Sequence, residues 1–267
     1  MSSFNWEYDD KATKIRERQL QAFQTFMKHD KPLLARLSPV TEFLRQNQDG
    51  IIVVDRPRLG NVNFSKAENK SKLFDLARPL IYGVNPYACK VLYGKIADKK
   101  VIASIDGSGY SVRSGRIEIE PRSCMTENTL DLAHELGHAV YLEKNPNIKT
   151  FAEIPARSLE LAVRRNMDIK GFCSTDRDLN FDLKNYIYYA KDCEEVKEEE
   201  HFFNYQAHGL SYYYATIFSL LCPKEELGQT CNLTQDQIVK KFDKITSNEK
   251  EVLNKIEKHI VDSYIAM

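Results

Sequence analysis

The chain has 267 residues with 42% hydrophobic content, enough for one large domain or two modest lobes with a full core and no need of disulfide staples. Its 38 basic and 38 acidic side chains cancel, which excludes the global positive field of a nucleic-acid binder and the acidic excess of a charged tail. No segment is apolar for long enough to cross a bilayer, and residues 1 to 10 combine neither a basic start nor an apolar run.

The expectation is a soluble protein without contact with membranes, cytoplasmic or exported by a route that needs no signal peptide. Six cysteines (Cys89, Cys124, Cys173, Cys193, Cys222, Cys231) show no CxxC spacing, which fits reduced thiols rather than a disulfide framework or a thiolate metal site. The sequence sets no oligomeric state.

From Lys11 to His29, apolar residues recur at helical spacing between charges. A second periodic stretch follows Pro32 through Leu33, Leu34, Leu37, Val40, Phe43 and Leu44, with an interruption expected at Pro39 and an end near Gly50. The β-branched run 51–54 reads as a short strand, and Ser65 to Tyr82 as a helix. Beyond Val101 the pattern changes. Short strands at 101–105 and 110–112 and the alternating Arg116-Ile-Glu-Ile-Glu120 predict a small antiparallel sheet, with Arg116 to Glu120 a candidate edge for pairing with an extended peptide. From Thr126 onward nearly everything favours helix, including a capping-box pattern at Thr234 to Gln237 and a charged, solvated face at 194–200. The fold class expected is α+β, mainly α. The division expected is a mixed N-terminal lobe over 1–122, a helical hairpin plus the small sheet, and a helical lobe over 123–267.

The chemistry-bearing pattern is His134-Glu135-Leu136-Gly137-His138. Residues four apart on a helix stack on one face, so the two imidazoles can grip one metal ion. Glu135 then stands beside the ion's open side, where a carboxylate can take a proton from an activated water. A zinc ion acidifies such a water to a pKa of about 7. Gly137 costs a helix about 1 kcal/mol and calls for a reason, such as a close backbone approach. Asp131, one turn earlier, is a candidate partner for the other ring nitrogen of His134.

A hydrolytic zinc site needs a third protein ligand and an open position. A helix beginning near Thr150 places Glu153, Arg157 and Glu160 on one face, and Pro155 is tolerable only in its first turn, which puts Glu153 at the helix start. Lys144 occupies the position where a metzincin would carry its third histidine, which excludes that class.

His134-Glu-Leu-Gly-His-Ala139, followed by Phe151-Ala-Glu-Ile-Pro155 and Glu160, resembles the thimet-oligopeptidase and oligopeptidase F family of gluzincin-type zinc peptidases. The resemblance covers roughly residues 124 to 220. It implies a zincin-like core holding one Zn2+ per chain, with Glu153 the third ligand and Glu160 an acid that orients the site from behind. It also implies hydrolysis of peptide or protein substrates. The chain departs from the family at Ala156-Arg157, where the family has Ser-Gln. The run Tyr213-Tyr-Ala-Thr-Ile-Phe-Ser219 is similar to the family's tyrosine-rich segment, with Thr216 in place of its last tyrosine. An ungapped match puts Asn204 at the family histidine, and His208 is the substitute four residues on.

A tyrosine hydroxyl can donate to a developing oxyanion. Tyr213 is the first candidate and Tyr212 the second, with ordinary core packing the competing reading of the run. Family members are generally longer and wall off a deep channel, so 267 residues imply a more open cleft that admits a protein substrate. The rival functions are an inactive pseudo-peptidase, against which the intact Glu135 argues, and a helical protein-binding module.

Overall fold

Pro32 falls in the first turn of helix α1 (Lys31–Gln46), where a missing backbone N–H breaks no helical bond. The helix then continues through Pro39 instead of breaking there. Leu33, Leu37, Val40 and Leu44, spaced by three and four residues, form its buried stripe. In the computed structural model the described residues are 31–51, 67–122, 125–145, 151–168, 175–194 and 203–265. The amphipathic stretch at 11–29, the strand expected at 51–54 beyond Ile51, and the charge run at 194–200 beyond Glu194 lie outside them.

Helix α2 (Ala67–Val84) is followed by α3 (Pro86–Ala97), which has no counterpart in the sequence reading. Its signal is Asn85-Pro86: the asparagine side chain accepts from Ala88 N–H and the proline fills the first helical position.

Three strands, β1 (Val101–Ala103), β2 (Gly109–Ser111) and β3 (Arg116–Ile119), pair in the order β1-β3-β2. β3 is antiparallel to β2 but parallel to β1, so the sheet is mixed and not wholly antiparallel. The true hairpin is β2–β3, closed by Gly115 at φ 64°. The turn at 104–108, with Gly107 at φ 109°, instead carries the chain past β3 to its far side. Strands of three residues hold too few side chains to set such a register themselves. β3 is therefore the central strand, which removes it as an edge for substrate; among the described residues the outer strands are β1 and β2.

Helices α4 (Met125–Lys144) and α5 (Glu153–Asp168) pack against each other as the spine of the molecule. On one side Leu132, Leu136, Leu159 and Val163 join a core with α2, α3 and β3. On the other, Tyr141, Leu142, Ile154 and Ala162 join a second core with α1, α6 (Thr175–Glu194), α7 (Phe203–Leu221), α9 (Gln235–Ile245) and α10 (Glu249–Ile265). A short α8 (Lys224–Leu227) precedes α9, whose capping box between Thr234 and Gln237 is complete.

α1 packs chiefly against α6 and α10, so the second core is built from both ends of the described chain. The result is a mainly helical α+β protein with a three-stranded mixed sheet. Cys89, Cys222 and Cys231 are buried free thiols, and no helix among the described residues is long and apolar enough to cross a membrane.

Candidate metal centre

His134 and His138 stand one turn apart on α4, their rings edge to face with centroids 4.9 Å apart. Glu153, the first residue of α5, places Oε2 3.3 Å from His134 Nε2 and 3.4 Å from His138 Nε2. All three donor atoms lie within 4.8 Å of one another, the one such cluster of three or more ligand residues among the described residues.

Gly137 explains how Glu153 gets there. A Cβ on Gly137 would sit 2.6 Å from Ala156 Cα and 3.1 Å from the Pro155 carbonyl oxygen, so the bare backbone lets the first turn of α5 lie directly on α4. Pro155 fits that turn because N–H groups at a helix start have no intrahelical acceptor. Gly137→Ala would raise intrinsic helix propensity by about 1 kcal/mol, yet overpacking against backbone costs about 1–3 kcal/mol and pushes Glu153 away from the imidazoles. The expected result is a lower melting temperature together with weaker retention of any metal the three residues hold, read by thermal unfolding and metal analysis; an unchanged metal content would separate Glu153 from the contact at Gly137.

The residues fit a zinc ion. Bonds of about 2.0–2.2 Å at a tetrahedral angle separate neighbouring donors by roughly 3.3–3.6 Å. The two nitrogen-to-Glu153 distances, 3.3 and 3.4 Å, fall in that range. Two nitrogens and one oxygen are a donor set that zinc takes, and three protein ligands leave a position for water or substrate. Electrostatics agree. Burial alone would raise the Glu153 carboxyl, but His138 and His134 outweigh it and hold the group well below the usual carboxylate range. Burial alone would lower His134, but Glu153 and Glu160 hold it well above the ordinary imidazole value. A pocket that draws a positive charge onto a ligand imidazole draws a metal cation by the same field.

Comparison with protein-family models, curated proteins and solved structures finds no match.

Glu135 is 6% exposed and lines a cleft of ≈ 400 Å³ together with His134, Gly107, Ser108, Arg157 and Tyr212. Burial raises its pKa against the opposing pull of His134 and His138. Glu160 approaches the far side of His134, with Oε2 3.1 Å from Nδ1. Its other oxygen accepts from Arg157 at 2.5 Å, and Arg157 reaches with its second nitrogen to Asp182 on α6, also at 2.5 Å. Asp131 is not the partner of His134: it accepts from Arg122 Nε at 3.0 Å and from Ser108 Oγ at 3.2 Å, bonds that tie the β1–β2 turn and the segment after β3 to α4.

The tyrosine run divides by helix geometry. Successive residues point about 100° apart, so one face of α7 cannot serve two neighbours. Tyr212 turns its ring toward the site, parallel to His134 at 6.2 Å and stacked on Tyr186 of α6 at 4.8 Å. Burial first, then Glu153, push its hydroxyl far above the usual phenol value, so it carries its proton at any working pH. Tyr213 is fully buried in the second core with its hydroxyl 2.8 Å from Thr41 Oγ1 on α1, and Thr41 in turn donates to the Leu37 carbonyl. Of the two candidate tyrosines, Tyr213 thus lies in the core against α1, and Tyr212 is the one whose ring faces His134. Tyr214 is core as well, between Phe151 and Phe242. His208 lies on α7 one turn before Tyr212; its side chain is outside the described residues.

Asp182 and Tyr186 carry no sequence signal, since both sit in an ordinary helical stretch. Arg157 was visible as a charge sharing a face with Glu153 and Glu160, but not as the link to a third helix.

Proposed function

We propose that the protein is a zinc-dependent peptidase of the gluzincin type, with a zincin-like centre made by His134, His138 and Glu153. The observation that carries the reading is the convergence of these three donors at metal-ligand spacing beside Glu135 and an open cleft. The resemblance of the same motifs, in their order, to the thimet-oligopeptidase and oligopeptidase F family supports the reading.

Bound zinc would polarise the scissile carbonyl and lower the pKa of an attacking water to about 7. Glu135 accepts the proton of that water and passes it to the leaving amine. Tyr212 donates a hydrogen bond to the carbonyl oxygen as negative charge develops there. Glu160 faces Nδ1 of His134, and accepting its proton there would fix the tautomer that leaves Nε2 to hold a metal. The outer edge of β2, unpaired among the described residues and entered from Gly107 and Ser108 on the cleft wall, offers backbone groups to an extended substrate segment. The substrate is a peptide or an exposed segment of a protein.

The test is metal analysis coupled to Glu153→Ala. The wild-type protein is expected to hold one zinc per chain and the variant to lose it on dialysis against a mild chelator. Absence of stoichiometric zinc in the wild type would overturn the reading and favour a helical binding module. Zinc with no hydrolysis of any member of a peptide library would favour a pseudo-peptidase.

A further inference from the structure

Glu160, Arg157, Asp182 and Arg164 make a buried ionic layer behind the metal centre, drawn from α5 and α6. Their side chains are 10%, 10%, 9% and 5% exposed. Glu160 divides its two oxygens: Oε2 faces His134 Nδ1 at 3.1 Å, while Oε1 takes Arg157 at 2.5 Å and Arg164 at 3.6 Å. Arg157 is itself held at its other end by Asp182. Two carboxylates, Glu160 and Asp182, thus face two guanidinium groups, Arg157 and Arg164, across this layer.

We infer that Asp182, far along the chain from every ligand, is a positioning residue of the metal centre, acting through Arg157 and Glu160 on the His134 ring. The inference rests on the zinc reading above. A guanidinium is a planar fork that can bind one carboxylate with each arm, so Asp182 fixes the plane of Arg157 and Arg157 fixes Glu160. Removing the Asp182 charge loosens one arm of that fork, and with it the hold of Arg157 on the Glu160 carboxylate that faces His134 Nδ1. The same face of α6 carries Tyr186, one turn on, which stacks on Tyr212 at 4.8 Å. One helix thereby sets both the ligand histidine and the cleft tyrosine.

The variant that tests this is Asp182→Asn in the full chain, which keeps shape and removes the charge. Zinc dissociation constants are measured by chelator competition, the visible spectrum is recorded on the cobalt-substituted protein, and the melting temperature is taken on the metal-free protein. Groups that orient a metal-bound histidine typically change affinity by about 10- to 100-fold, and that loss, with an altered cobalt spectrum, is the expected result. A lower melting temperature with unchanged zinc affinity and cobalt spectrum would make the layer a structural brace and overturn the inference. Should the asparagine variant fail to fold, Arg157→Lys decides: lysine keeps the charge but reaches one carboxylate, so the same loss is expected and an unchanged constant overturns the proposal. A wild-type protein that takes up no zinc removes the reading beneath and the inference with it, whereas zinc bound equally by wild type and variant removes the inference alone.

Discussion

If the protein is the zinc peptidase proposed above, replacing Glu135 by glutamine is expected to abolish peptide hydrolysis while zinc stays bound and the fold stays intact. Glutamine matches glutamate in shape and fills the same 6%-exposed position on the cleft wall. What it lacks is the ability to take a proton, and general base catalysis typically contributes about two to four orders of magnitude in rate. Stability is expected to hold or rise. A carboxyl group whose pKa is raised by burial opposes folding at neutral pH, where it must ionise away from water, and the neutral amide carries no such cost. Cleavage of a peptide library followed by mass spectrometry, with zinc content measured on the same sample, reads both halves. Hydrolysis surviving within tenfold would mean that another group takes the proton.

The second large effect separates two adjacent tyrosines. Tyr212→Phe removes a hydroxyl from the cleft but keeps the ring that stacks on Tyr186 and lies parallel to His134. Loss of an oxyanion donor costs about 3–4 kcal/mol, or roughly two to three orders of magnitude in kcat, with KM and the melting temperature little changed. Tyr213→Phe should behave in the opposite way. It breaks the buried bond to Thr41, worth about 1 kcal/mol, and lowers the melting temperature by about 2–4 °C without touching turnover. If Tyr213→Phe loses activity and Tyr212→Phe keeps it, the rotation of α7 described here is wrong for the catalytic state.

The contrast between these neighbours shows where sequence reading stops. A Tyr-Tyr-Tyr run inside a helix places three rings on three headings, and nothing local tells which heading meets the imidazoles. The answer depends on α1, whose Thr41 receives the Tyr213 hydroxyl across 172 positions of chain. Gly137 was legible as a glycine in need of a reason, because it weakens its own helix. That the reason is the first turn of α5, at Ala156, needed the packed helices. The sheet went the same way: the alternation of Arg116 to Glu120 identifies a strand, while its central place follows from the path of the turn around Gly107.

By itself the sequence determined the helix-borne pair His134 and His138 with Glu135 between them, because i,i+4 spacing is a property of the helix alone. Pro155 likewise put Glu153 at a helix start, since proline is accepted only where no backbone donor is required. Only the tertiary structure decided that Glu153 meets both imidazoles, that Glu160 and not Asp131 backs His134, and that Asp182 closes the chain of charges behind them. Such contacts join helices whose relative placement is set by two hydrophobic cores built from both ends of the described chain, and a pattern confined to one helix holds no record of that placement.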